Sequence, residues 1–419
     1  MTDSGIDRRE FLKGAAAGAV LLFAADKLFA ADAAPEAAPV GPPVKIGVIG
    51  AGLWGKQLLT TLSKMPTAQV AGVCDSYDPF VTRATKVVPN AATFSDYRKL
   101  LESADIEAVV VATPTHLHKD IAIAAIQAGK HVYCEAPLAV TMEDAKAIAL
   151  AGKGSGKVFQ VGQQGRSNLL YEHVEKFVRT GAMGKPAQAY AQCNKKQSWQ
   201  RPAPTPEREK ETNWRLSKLT AAGLVGELGI HFIDLANWYL NGLPVSVIGF
   251  GSIMNWTDGR DVPDTVQCII EYPDNVRMVF SSSLASSFGA DYALFQGSDS
   301  SLLLRENRGW MVKEADSPLL GWEVYARKEQ TFDETGICMI ADATKILKEG
   351  KEPGKEGSVS PTKEPLYCAL DNFTKSVRDG SKPKCGALEG YQAAVASIKA
   401  NEAILSGSKI VYDKSWFEL

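Results

Sequence analysis

The chain has 419 residues, 45% hydrophobic and 22% charged, with apolar surface enough for more than one core. Its 46 basic and 48 acidic residues leave a net charge of −2, so nothing in the charge suggests a nucleic-acid partner. Seven cysteines and five histidines contain no CxxC pair, which argues against a zinc ribbon and a dithiol redox motif and predicts reduced core thiols.

The first segment reads as an address. "DRREFLKGAAAGAVLLFAA" places Arg8 and Arg9 before Phe11, Leu12 and Lys13, then an apolar run from Gly14 to Ala25, the pattern of a twin-arginine export signal. That run is short of the roughly 20 residues needed to span a bilayer, so no stable membrane insertion is expected after cleavage. Ala31 and Ala33 offer a cleavage site, giving a signal over 1–33 and a Pro/Ala-rich leader over 34–43. The mature protein is therefore expected in the periplasm or outside the cell.

From Val44 the pattern changes. "VKIGVIGAGLWGKQLLTTL" runs from a β-branched strand through Gly50, Gly52 and Gly55 into an amphipathic helix. Glycines at this spacing permit a tight turn, close backbone approach to a pyrophosphate, and helix-on-strand packing. A second strand, "AQVAGVCD", ends at Asp75, 20 residues after Gly55. An acid there accepts hydrogen bonds from a ribose 2′-hydroxyl and repels a 2′-phosphate, favouring NAD over NADP. "AATFSDYRKLLES", "AVVVATP", "HKDIAIAAIQAG", "HVYCEAP" and "GKVFQVGQQGRS" continue the alternation of strand and helix. The expected fold class is α/β: a Rossmann-type doubly wound parallel sheet over 44–165, followed by a second domain over 166–419. In that second domain "PVSVIGFGSI", "DTVQCIIEY" and "VRMVFSSSLA" predict a large, mainly antiparallel sheet.

Between the second domain's first strand and first long helix lies the insert "NKKQSWQRPAPTPEREKETNWRLSK". Trp199 and Trp214, stacked and flanked by cations and amides, suit a sugar ring with one apolar face and a polar rim. In "GLVGELGIHFIDLANWYLNG" helical spacing from Gly226 predicts that Glu227, His231 and Asp234 share one face. A histidine is suited to accept an alcohol proton near neutral pH. The three side chains are also a conceivable metal set.

The succession GAGLWG, Asp75, "ATPTHLH", "EAP", "VGQQGRS" and "GELGIHFIDLANWYL" resembles the glucose-fructose oxidoreductase and inositol dehydrogenase family, Gfo/Idh/MocA. The likeness extends to the closing helical stretch "GYQAAVASIKANEAIL". The resemblance implies a Rossmann domain joined to an α/β domain whose open sheet carries the substrate pocket on one face and packs against another subunit on the other. The last helices are candidates to pack back on the first domain. By position it puts Gly50, Gly52, Leu53, Trp54 and Gly55 on the pyrophosphate and Asp75 on the adenosine ribose. Thr113, Pro114, His116, Glu135, Ala136, Pro137 and Gln163 fall along the nicotinamide half. Arg166, Trp199, Trp214 and Arg215 become candidate substrate contacts, no metal is implied, and the cofactor is a tightly held NAD.

One departure matters. The family's Glu-Lys-Pro, whose lysine usually transfers the proton, here reads Glu135-Ala136-Pro137. Three readings stay open. The first is a sugar oxidoreductase using His231, with Glu227, Asp234 and Lys195 or Lys196 in support. The second is a redox-neutral, NAD-dependent glycoside hydrolase or lyase working through a transient keto-sugar. The third is an inactive, nucleotide-holding sugar binder.

Overall fold

The computed structural model describes residues 41–305, 307–320, 323, 326–331, 334–340 and 364–419. The segment expected to be an export signal, 1–33, and residues 34–40 of the expected leader lie outside them. No helix among the described residues is long and apolar enough to cross a membrane.

The first domain alternates β1 (Val44–Ile49), α1 (Leu53–Leu62), β2 (Ala68–Cys74), α2 (Asp78–Thr85), β3 (Ala92–Phe94), α3 (Tyr97–Glu102) and β4 (Ala108–Val111), then α4 (His118–Gln127), β5 (His131–Cys134), α5 (Met142–Gly154) and β6 (Phe159–Val161). Its six strands run parallel in the order β3-β2-β1-β4-β5-β6. Helices cover both faces of such a sheet, which is why β1 and β4 are apolar almost throughout. The strand order reverses between β1 and β4, and the carboxyl ends there form the crevice where ligands bind in open α/β sheets.

After α6 (Leu169–Arg179) the chain enters the second sheet at β7 (Pro186–Asn194). The insert carries one short helix, α7 (Glu209–Thr212), and leads to α8 (Ile230–Tyr239). There follow β8 (Ser246–Ser252), β9 (Thr265–Glu271), β10 (Arg277–Ser283), β11 (Asp291–Gly297), β12 (Ser300–Arg305), β13 (Arg308–Lys313), β14 (Lys328–Thr331), β15 (Glu334–Met339), α9 (Pro365–Asp379), α10 (Ala387–Ser406) and β16 (Ile410–Val411). The ten strands order as β14-β15-β13-β12-β11-β7-β10-β9-β8-β16, and all pair antiparallel except β7 with β10. Burial alternates along β9 and β10, one face covered and the other open.

The closing helices tie the halves together. Leu366, Ala369, Leu370 and Phe373 of α9 join Val44, Ile46, Val48 and Leu58 in the core of the first domain. α10 lies against α5, α8 and β8, bridging both domains. Arg378 adds a bidentate ion pair to Glu107, at 2.6 and 2.9 Å. All seven cysteines are free thiols, and six of them are buried.

One local expectation needs correcting. The chain does not enter α8 as a uniform α-helix: Val225–Gly229 is a π turn, and the α-helix proper starts at Ile230. Packing explains the tight glycine positions here, since a Cβ at Gly229 would lie 2.9 Å from the Phe280 ring and one at Gly226 2.3 Å from Ala222. Wider winding at a single turn is a common feature of functional helices. Glu227 therefore leaves the helix in a different direction from the one α spacing implies.

Candidate functional site

The glycine loop is forced by sterics. Gly50 has φ +97°, and a Cβ there would lie 2.6 Å from the Ala112 carbonyl oxygen; one at Gly55 would meet the Gly50 oxygen at 1.9 Å. Gly52 caps α1, whose first residues, Leu53 and Trp54, stay 64% and 40% exposed at the mouth of the crevice. Asp75 follows β2 directly. Its carboxylate accepts from the backbone N–H of Ala51 at 2.7 Å and of Tyr77 at 2.9 Å, so Asp75 and the glycine loop are held in one arrangement. Burial pushes the Asp75 carboxyl up, and those two N–H groups oppose the shift. Replacing Asp75 with alanine is expected to weaken NAD(H) binding by about 1–3 kcal/mol, through lost ribose bonds and a loosened loop. Titration with NADH fluorescence checks this, and unchanged affinity would place the ribose elsewhere.

Two loops line the neighbouring crevice. After β4 come Thr113, Pro114, Thr115 and His116; after β5 come Glu135, Ala136 and Pro137, with a cis peptide between the last two. His118 is fully buried beneath them, its ring nitrogens 3.0 Å from the carbonyl oxygens of Thr113 and Pro137, so it holds the loops and does not face a ligand. Glu135 is buried against Gly162, where a Cβ would stand 2.4 Å from the carboxylate. Burial pushes its carboxyl up to about 7, against hydrogen bonds from the Trp54 side chain and the Ala136 backbone.

Thr113 Oγ1, His116 Nδ1, Glu135 Oε1 and Gln163 Nε2 are all buried without a hydrogen-bond partner. Buried polar atoms are normally paired, and each unpaired one is costly. Four such atoms on the loops at one sheet edge fit a polar ligand laid along that edge. A dinucleotide, with its pyrophosphate on the α1 N-terminus and its ribose on Asp75, would run past all of them.

The second domain supplies the opposite wall. Glu227 Oε1 accepts from Thr115 Oγ1 at 3.1 Å, His231 Nδ1 lies 2.8 Å from Gln163 Oε1, and Arg166 grips Asp234 with three contacts of 2.8–3.0 Å. The three polar side chains that the sequence aligns thus each meet a different partner: Glu227 and His231 cross to the first domain, and Asp234 pairs with Arg166 at the start of the second. They do not converge as a metal set, and no cluster of three ligating side chains occurs among the described residues. Arg166 and Asp234, expected to serve substrate and catalysis, are committed to each other, with side chains only 14% and 3% exposed. Burial raises the Asp234 carboxyl and the Arg166 guanidinium opposes it.

Glu227, its side chain 5% exposed, also approaches Arg215 Nε at 3.5 Å. Burial raises its carboxyl despite that cation. The Arg215 guanidinium lies 4.3 Å from the Trp214 ring and 5.8 Å from the Trp199 ring. The two tryptophans were expected to stack; instead they flank a cation, which replaces a ring-ring contact with a charged edge. His116 completes this wall, its ring 6.3 Å from Trp214. Lys195 and Lys196 are exposed beyond the end of β7, and among the described residues neither bonds to Glu227, His231 or Asp234. Thr115, which anchors Glu227, went unnoticed in the sequence. It lies inside "ATPTHLH" but has no signal of its own before the domains are docked.

A Rossmann crevice faced by a histidine from a second, sheet-containing domain defines a two-domain, nucleotide-dependent oxidoreductase. Residues 44–163 match the oxidoreductase family NAD-binding Rossmann fold, and residues 171–303 match the GFO/IDH/MocA C-terminal domain. The levoglucosan dehydrogenase of Pseudarthrobacter phenanthrenivorans is 31% identical over 204 residues, 46% of this chain and 50% of that protein. The 2,7-anhydro-N-acetylneuraminate hydratase of Escherichia coli is 24% identical over 381 residues, 87% of this chain and 95% of that protein. A solved structure of levoglucosan dehydrogenase with NADH and levoglucosan shares the fold, with a TM-score of 0.71 at 21% identity over 88% of this chain and 99% of that one. The chain belongs to the Gfo/Idh/MocA family of NAD-binding sugar oxidoreductases.

Proposed function

We propose that the protein oxidises or reduces a sugar hydroxyl with a tightly held NAD(H), using His231 in place of the missing lysine. The observation that carries this is the His231–Gln163 contact at 2.8 Å. With Nδ1–H donating to the Gln163 carbonyl oxygen, the tautomer is set and Nε2 keeps its lone pair for a substrate hydroxyl. Burial lowers the His231 pKa to about 4, which keeps the imidazole neutral at working pH with Nε2 open to a substrate hydroxyl, and makes it a weaker base than a free histidine. NAD, when bound, supplies the hydride acceptor. Ala136 offers neither proton nor hydrogen bond, so the proton must leave through the second-domain wall. Arg215 between Trp199 and Trp214 presents the apolar and polar surfaces a sugar needs.

A second reading is a redox-neutral cycle, in which a sugar carbon is oxidised, its neighbour loses a proton and a substituent, and the hydride returns. The hydratase relative, matched over 87% of this chain, favours it. The two readings differ in one measurement: an oxidoreductase leaves its nicotinamide changed after a turnover with a single sugar, and a redox-neutral enzyme does not.

Export by the twin-arginine route supports tight retention, because no exchangeable nicotinamide pool exists outside the cytoplasm. The protein purified from its exported form is expected to carry bound NAD(H), identified by mass after denaturation. Nucleotide-free protein with no affinity for NAD(H) or NADP(H) would overturn the reading. A fusion in which Arg8 and Arg9 are both lysine is expected to stay in the cytoplasm; normal export would show another route. The open face of the second sheet, with Phe250 65% and Ile269 44% exposed, is suited to pairing with a second copy of the chain.

A further inference from the structure

The insert after β7 divides into two working parts. Trp199, Trp214 and Arg215 stand at the Glu227 wall, but the middle of the insert crosses to the first domain. A 3-10 turn at Pro206–Arg208 runs into α7 and lands on Ser76 and Tyr77, the two residues that follow the ribose acid Asp75. Ser76 Oγ donates to Glu211 Oε1 at 3.1 Å and accepts from Arg208 Nη2 at 3.2 Å. Arg208 also pairs with Glu211 at 2.6 Å, and its guanidinium lies 4.9 Å from the Tyr77 ring. One hydroxyl therefore joins both charged side chains across 132 and 135 residues of sequence.

The base of this segment is fixed. Asn213, 7% exposed, accepts from Arg201 N–H at 2.7 Å and donates to the Arg201 carbonyl at 3.0 Å and to Glu209 Oε1 at 2.8 Å. That pins the two ends of residues 202–212 together, so the segment is a compact loop and not a free arm. At its tip, the Arg208 side chain is 25% exposed and Glu211 47%, an exposure at which an ion pair alone contributes little. The shared hydroxyl and the aromatic face are what make the contact directional. The field of the tip reaches Asp75 itself: Arg208 favours its carboxylate and Glu211 opposes it.

We propose that Pro206–Thr212 is a strap of the nucleotide site, closing over the adenosine end of a dinucleotide held by Asp75 and lifting off Ser76 and Tyr77 before that dinucleotide enters or leaves. This rests on the reading of Asp75 as the ribose acid, and it gives tight retention a physical cause: the nucleotide is enclosed by a contact between domains. A strap that gates passage slows entry and exit alike. A side chain that merely touches the nucleotide slows exit only.

The test is stopped-flow fluorescence with NADH as probe, on the full chain and on two variants. Arg208→Ala removes the cation; Ser76→Ala removes the shared hydroxyl and, as an exposed serine-to-alanine change, is the safer for folding. Losing these bonds is expected to speed both association and dissociation of NADH about tenfold in each variant, with the affinity nearly unchanged. Unchanged rates in both variants would overturn the strap, and so would faster dissociation with unchanged association. A wild-type chain that neither carries a nucleotide nor takes up NADH would overturn the nucleotide reading and the strap with it, an outcome distinct from loading with unaltered rates.

Discussion

Replacing His231 with alanine is expected to slow hydride transfer by about 10²- to 10⁴-fold while the nucleotide stays bound. The separation follows from position. The residues assigned to the dinucleotide, from Gly50 to Gln163, belong to the first domain, whereas His231 stands on α8 of the second and bonds to the first through Gln163. Single-turnover change in nicotinamide absorbance, over a panel of sugars and glycosides, measures the loss. In the wild type the same rate is expected to fall as the pH drops through about 4, where the imidazole takes up a proton and ceases to be a base, and to be flat above it on this account. Ala136→Lys distinguishes the histories of the site. Gain of turnover would mark a family mechanism lost at one residue, and slower turnover would mark a site rebuilt around His231, because a long cation would intrude where substrate now sits. No hydride transfer in wild type or in either variant, with any sugar, would sink the enzymatic readings and leave a sugar-binding protein.

Breaking the Arg166–Asp234 pair is expected to have the largest effect on stability. Asp234→Ala leaves a guanidinium 14% exposed and without its carboxylate, a situation that typically costs about 3–5 kcal/mol. Denaturant unfolding of the nucleotide-free chain measures it, and the double replacement Arg166→Met with Asp234→Leu is expected to recover much of the loss, since no charge is then left buried and unpaired. A loss below about 1 kcal/mol for Asp234→Ala would mean that water reaches the guanidinium, as in exposed pairs. Asp234 would then be free for the catalytic part that the helix pattern suggested.

The glycine loop, Asp75 and the alternating strands are local features, and each was readable because its cause is local. A φ of +97° at Gly50 excludes other residues through contact with its own fold neighbours, and a strand covered on both faces has to be apolar. The second-domain site was readable only in part. Glu227, His231 and Asp234 stood out as polar groups on an apolar helix, but their separate partners could not be read from spacing, and the π turn redirects the first of them. Likewise the insert suggested sugar binding as a whole, while its middle, Pro206–Thr212, turned out to sit on the loop that follows Asp75.

By itself the amino-acid sequence determined the strand order's raw material, the nucleotide loop and the loss of the lysine, because backbone sterics and burial act over a few neighbouring residues. Only the tertiary structure decided which charges are spent on each other. Thr115 with Glu227, Gln163 with His231, Arg166 with Asp234 and Ser76 with Arg208 are 112, 68, 68 and 132 residues apart. Hydrogen bonds and ion pairs work over about 3 Å, so such pairings exist only in the folded chain, and all but the Arg166–Asp234 pair only after the two domains have docked.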